Sequence, residues 1–115
     1  MGKTRIGLIG GTFDPIHNGH LLLAENSRKV FNLDKIIFMP AGIPPHKRDK
    51  HISSNVHRYN MTLLAINSNE NFFLSDMELK KEGVSFTIDT IKYFKTIYKD
   101  KEIYFILGSD SLFQI

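Results

Sequence analysis

The sequence predicts an α/β fold, an open and doubly wound parallel sheet, from three observations. Short apolar runs alternate with stretches of helical period along the whole chain. These runs are nearly unbroken in apolar residues, as in parallel strands covered on both faces. The first of them, Ile6-Gly7-Leu8-Ile9, leads through a glycine turn into a helical pattern.

Lys3 to Ile9 is expected as the first strand, apolar after Arg5. Gly10-Gly11-Thr12-Phe13-Asp14-Pro15-Ile16-His17-Asn18-Gly19-His20 follows it. Adjacent glycines let the backbone pass close to a bulky ligand, and the free amides of a helix's first turn aim partial positive charge at the loop. Such a corner holds anions, phosphates above all. His17 at the end of the turn and His20 at the helix mouth add donors at the same place. The helix begins near Gly19 or His20, with Leu23, Ala24, Ser27, Val30 and Phe31 on one face, Glu25 and Lys29 paired outside it, and Asn32 as the stop.

Lys35 to Met39, ended by Pro40, is the second strand and completes a right-handed crossover. The loop from Ala41 to His51 carries a glycine, two prolines and a basic tail. It leaves the carboxyl end of a parallel strand, the edge where open sheets bind ligands. A helix is expected from about Val56 to Asn67, capped by Ser53, Ser54 or Asn55, with Met61, Leu64 and Ala65 inward and His57 and Arg58 at the surface. Phe72-Phe73-Leu74 is a short third strand, and Asp76 to Gly83 a charged connector. Thr87 caps the next helix, with Asp89 near its positive end and Ile88, Ile91, Phe94 and Tyr98 along one side.

Ile103 to Leu107 is the fourth strand, and Gly108-Ser109-Asp110-Ser111 a second strand-to-helix turn that reaches barely one helical turn by Ile115. Strands one and four are expected side by side at the centre, setting Gly10 to His20 across a crevice from Gly108 to Asp110. A nucleotide could lie there with its phosphates at the first loop and its ribose hydroxyls on Asp110.

A length of 115 residues, 42% hydrophobic and 23% charged, suits one globular domain. No apolar stretch approaches the roughly 20 residues of a membrane span, and the N-terminus lacks the apolar core of a signal peptide. A cytoplasmic location without a membrane partner is expected. With no cysteine, the chain has no disulfide framework, zinc-thiolate site or cysteine nucleophile. The net charge of +3 is spread out apart from Lys47 to Lys50, so an anionic small molecule explains the sign and no nucleic-acid partner is called for.

The spacing of Gly7, Gly10 and Gly11 fits neither G-x-G-x-x-G nor the P-loop, which ends in Gly-Lys-Ser/Thr. Gly11-Thr12-Phe13-Asp14-Pro15-x-His17-x-Gly19-His20 instead resembles the signature of the H-x-G-H nucleotidyltransferases, a superfamily with a Rossmann-like fold. Pro44-Pro45-His46-Lys47, Ser85-Phe86-Thr87-Ile88-Asp89-Thr90 and Phe105-Ile106-Leu107-Gly108-Ser109-Asp110-Ser111-Leu112 narrow the likeness to the bacterial nicotinate-nucleotide adenylyltransferases.

That resemblance implies transfer of AMP from ATP to nicotinate mononucleotide, giving deamido-NAD and pyrophosphate, with Mg2+ carried by ATP and no protein-ligated metal. It implies catalytic roles for His17, His20 and Lys47. It assigns Gly10, Gly11, Thr12, Phe13, His17, Gly19, His20, Gly108 and Asp110 to ATP, and Thr12, Phe13, Lys47 and Thr87 to the mononucleotide. No nucleophilic side chain is needed, because the acceptor's own phosphate attacks the α-phosphorus and the protein supplies position and charge stabilisation.

Plainer readings stand beside these: the histidines, Asp110 and Thr87 as helix caps, and Lys47 to Lys50 as a solvated loop. The family pattern also continues past Ile115, with a further strand, its helices and a late serine-rich phosphate motif, so the chain reads as a single nucleotidyltransferase domain truncated after the fourth strand. A pantetheine-phosphate adenylyltransferase, or a nucleotide-binding fragment without turnover, are the alternatives. A homo-oligomer is left open.

Overall fold

A computed structural model of the chain describes residues 3–42, 53–80, 88–107 and 111–114. The elements are β1 (Arg5–Gly11), α1 (Asn18–Val30), β2 (Lys35–Pro40), α2 (Asn55–Ile66), β3 (Phe72–Leu74), a 3-10 turn (Met77–Lys80), α3 (Ile88–Ile97), β4 (Glu102–Leu107) and β5 (Ser111–Gln114). They form one five-stranded sheet in the order β3-β2-β1-β4-β5. The first four strands are parallel, with β1 between β2 and β4 as expected.

Apolar runs with little alternation form these strands because both faces are covered. On one face Ile9, Ile36, Phe38, Phe72 and Ile106 pack with Phe13, with Ala24 of α1 and with Ile66 of α2. On the other, Ile6, Leu8, Ile37, Met39 and Ile103 meet Phe94 of α3. Helices on both sides make the sheet doubly wound. Among the described residues no helix is long and apolar enough to cross a membrane.

The end of α1 confirms Asn32 as a stop. Asn32 is left-handed, with φ 54°, and Leu33 N–H bonds to the Arg28 carbonyl at 2.8 Å while Asn32 N–H reaches Lys29 at 3.5 Å. This is a Schellman closure, in which a left-handed residue satisfies the last carbonyls of the helix. It changes which apolar residue goes inside. Leu33 is buried, whereas Val30 and Phe31, expected on the inner face, are 72% and 41% exposed. Glu25 bonds to Arg28 at 2.8 Å and to Asn69 at 2.9 Å, while Lys29 acts on it only through its charge.

Three further features depart from expectation. The buried positions of α2 are Arg58, Thr62 and Ile66, while Leu64 is 79% exposed. The inner stripe therefore runs i, i+4, i+8 from Arg58, which displaces Leu64 from it. The second change lies beyond β4. Ser111 to Gln114 runs antiparallel to β4, with Leu112 opposite Ile106 and Phe113 opposite Phe105, where a helix start had been expected. An unpaired strand edge presents a ladder of donors and acceptors, and β5 satisfies the outer edge of β4. The connector after β3 is also less solvated than its charges suggested, since Glu78 is buried and accepts a hydrogen bond from the Thr90 hydroxyl.

Candidate functional site

The carboxyl ends of the central strands finish almost level. Gly10 lies opposite Met39, Gly11 opposite Pro40 and Ile9 opposite Ile106. Both glycines lie inside β1, so the ladder runs two residues farther than Ile9 and the turn proper spans residues 12–17. Ala41 N–H bonds to the Gly11 carbonyl at 2.8 Å, which starts the loop after β2 alongside Thr12. Gly11 lies close under the Phe13 ring, which a Cβ there would approach to 3.0 Å.

Phe13 is the hinge of the turn. Its backbone is left-handed, with φ 51°, and its ring is buried against Phe38 at 6.0 Å and edge-on to His20 at 5.1 Å between centroids. Holding a non-glycine residue in that region costs roughly 1–2 kcal/mol. Arg58 stands behind it. The guanidinium, fully buried, donates to the Thr12 carbonyl at 2.8 Å, to the Ser53 carbonyl at 3.1 Å and to the Asn55 side chain. A hydrogen bond to a charged group contributes about 1.5–3 kcal/mol, enough to offset the strain at Phe13.

Asp14 closes the same corner by accepting the Ser53 N–H at 2.7 Å. That bond, helped by the Ser53 side chain and the charge of Arg58 against a smaller opposing effect of burial, holds the Asp14 carboxyl below its ordinary range.

His17 and His20 form a reciprocal cap on α1. His17 Nδ1 accepts the Gly19 N–H at 3.0 Å, and His20 Nδ1 accepts the His17 N–H at 3.1 Å. The rings lie 3.9 Å apart and tilted by 38°. An accepting Nδ1 carries no proton, so each neutral ring is held with its proton on Nε2. The cap thus leaves both side chains as donors through Nε2. Burial, and next the neighbouring His17, lowers the pKa of His20 from the ordinary 6.5. Among the described residues neither Nε2 has a partner, and the N–H groups of Phe13 and Asn18 have no acceptor. Four donors therefore remain at one corner, a set that complements an anion with several oxygens.

Of the residues singled out from the sequence, the structure gathers Gly10, Gly11, Thr12, Phe13, His17, Gly19 and His20 at this corner. Lys47, Thr87, Gly108 and Asp110 lie outside the described residues. Arg58 was missed. Its only sequence signal is an arginine at the polar start of an amphipathic helix, which is ordinarily a solvated position.

A family model described as cytidylyltransferase-like matches residues 8–115. The chain belongs to that family. It is 53% identical over 114 residues to a protein of Thermoanaerobacter sp. named "probable nicotinate-nucleotide adenylyltransferase", a match covering 98% of this chain and 54% of the relative. A protein of the same name from Moorella thermoacetica is 48% identical over 112 residues, covering 96% and 52%. The chain spans about half the length of the curated relatives it matches. Among solved structures, Plasmodium falciparum nicotinic acid mononucleotide adenylyltransferase complexed with NaAD superposes with a TM-score of 0.73 at 26% identity, over 90% of this chain and 51% of that one. The family and the Rossmann-like fold agree with the order of the four parallel strands.

Proposed function

We propose that the protein transfers AMP from ATP to nicotinate mononucleotide, releasing pyrophosphate and forming deamido-NAD in NAD biosynthesis in the cytoplasm. The observation that carries this reading is the reciprocal histidine cap, which leaves Nε2–H donors on His17 and His20 beside the free N–H groups of Phe13 and Asn18. Curated relatives named for this activity, at about half identity, support the choice of substrates.

In this reading His17 and His20 hold the phosphates of ATP, and their donors stabilise charge gathering on the departing pyrophosphate. Gly10, Gly11 and Gly19 let the phosphates approach the main chain, and Thr12 and Phe13 receive both substrates. Lys47 reaches the phosphates, Gly108 and Asp110 hold the adenosine, and Thr87 meets the pyridine carboxylate. The donors of His17, His20, Phe13 and Asn18 suit phosphate oxygens, and Mg2+ would be carried by the triphosphate itself. When bound it neutralises phosphate charge. The chain's own residues position the α-phosphorus in line with the acceptor phosphate.

Calorimetric titration with ATP, run beside a pyrophosphate-release assay with nicotinate mononucleotide, tests this. Binding plus release supports the reading. Release only when phosphopantetheine replaces the mononucleotide moves the assignment to the pantetheine relative, and binding without release leaves a nucleotide-binding unit. Absence of ATP binding overturns the proposal.

A further inference from the structure

We infer that Arg58 is a positioning residue, one that turns the Thr12–Phe13 peptide so that its N–H faces the nucleotide phosphates; the inference rests on the nucleotide-binding reading above. A trans peptide is planar, with its C=O and N–H pointing in opposite directions. Arg58 Nη1 draws the Thr12 carbonyl toward the protein interior at 2.8 Å, so the Phe13 N–H must point the other way, and no acceptor meets it among the described residues. Phe13 is left-handed in this arrangement, with φ 51°. Flipping the peptide would return φ to the negative range that non-glycine residues favour, at the cost of turning the donor inward.

The guanidinium is itself held against rotation. Nε bonds to the Ser53 carbonyl at 3.1 Å and Nη2 to the Asn55 side chain, while Asp14 accepts the Ser53 N–H at 2.7 Å. One buried residue on α2 thus spans 46 positions of sequence to set a single amide of the first loop. Its fork geometry matters as much as its charge, because a lysine ammonium is compact and cannot serve Thr12, Ser53 and Asn55 in one plane.

The test uses the nitrogen-labelled full chain and ATP. Saturating ATP is expected to move the Phe13 amide proton downfield in the unsubstituted protein, and Arg58→Lys is expected to fold, to lose that shift and to bind ATP roughly tenfold more weakly. Arg58→Gln with added guanidinium is the second variant, expected to regain part of the shift. A Phe13 amide that does not respond at saturating ATP overturns the inference whether or not either variant folds. So does a folded Arg58→Lys protein that keeps both its ATP affinity and the shift. ATP binding with a responsive Phe13 amide but no adenylyl transfer to nicotinate mononucleotide sinks the proposed reaction and leaves the role of Arg58 standing.

Discussion

A Cβ atom on Gly19 would lie 2.8 Å from Cε1 of His17, inside any tolerable contact. Gly19 is thus the gap through which His17 folds back onto the start of α1, and the spacing of the H-x-G-H motif is a packing requirement as well as a chemical one. Gly19→Ala gains about 1 kcal/mol of helix propensity and loses a cap of about the same size when the ring is pushed off. Thermal unfolding should therefore move by less than about 5 °C, while ATP affinity measured by calorimetry falls roughly tenfold with the displaced donor. An unaltered affinity would show that the ring's place over the helix is irrelevant to binding.

His20→Ala should lower the rate of pyrophosphate release roughly 100- to 1,000-fold, the scale for removing one preorganised donor to developing charge. Steady-state kinetics decide this, and turnover close to the unsubstituted value would remove His20 from the mechanism.

Stability should depend on pH through the same ring. His20 has its pKa lowered by burial, with His17 adding to the effect. Below 6.5 the unfolded chain therefore takes up the proton more readily than the folded one. The contribution is complete above the unfolded value and is lost as pH falls toward the folded one. Asp14 and Glu25 are also lowered, but from 3.8 and 4.5, so their losses come at more acid pH. Urea unfolding between about pH 7 and about pH 5.5 should show stability falling with acid, and His20→Gln should flatten that slope.

Gly7→Ala tests the core beneath the site. A Cβ at this position meets Ile36 Cδ1 at 2.8 Å, Leu33 Cδ1 at 2.9 Å and Ile106 Cδ1 at 3.2 Å. Three buried methyl groups cannot all withdraw, and overpacking of this kind costs roughly 1–3 kcal/mol. The melting temperature should drop by roughly 4–8 °C for each kcal/mol, with ATP affinity retained in the fraction that stays folded. A stable variant would mean that the three side chains can repack.

What could be read from the sequence follows the range over which each feature is decided. The central strands were visible because Ile6 to Ile9, Lys35 to Met39 and Ile103 to Leu107 are apolar within themselves. Asn32 ended α1 by its own backbone preference, and the paired histidines declared themselves by spacing to Gly19. Arg58 did not, because its burial depends on carbonyls of Thr12 and Ser53 that converge only after folding. Leu64 and Val30 are apolar yet exposed for the complementary reason: the inner stripe of α2 was claimed by Arg58, Thr62 and Ile66, and the turn after α1 buried Leu33. The antiparallel pairing of β5 is set by the free edge of β4, which no local pattern announces. Glu78 is one charge among many in the sequence of the connector, and only the fold brings Thr90 to receive it in the interior.

The reciprocal cap makes the opening turn of α1 and the corner of free donors a single cooperative object. Should that turn fray, both imidazoles lose the partners that fix their tautomers, and the donors no longer converge. An anion seated there must in return hold the helix shut, so occupancy and local order rise and fall together.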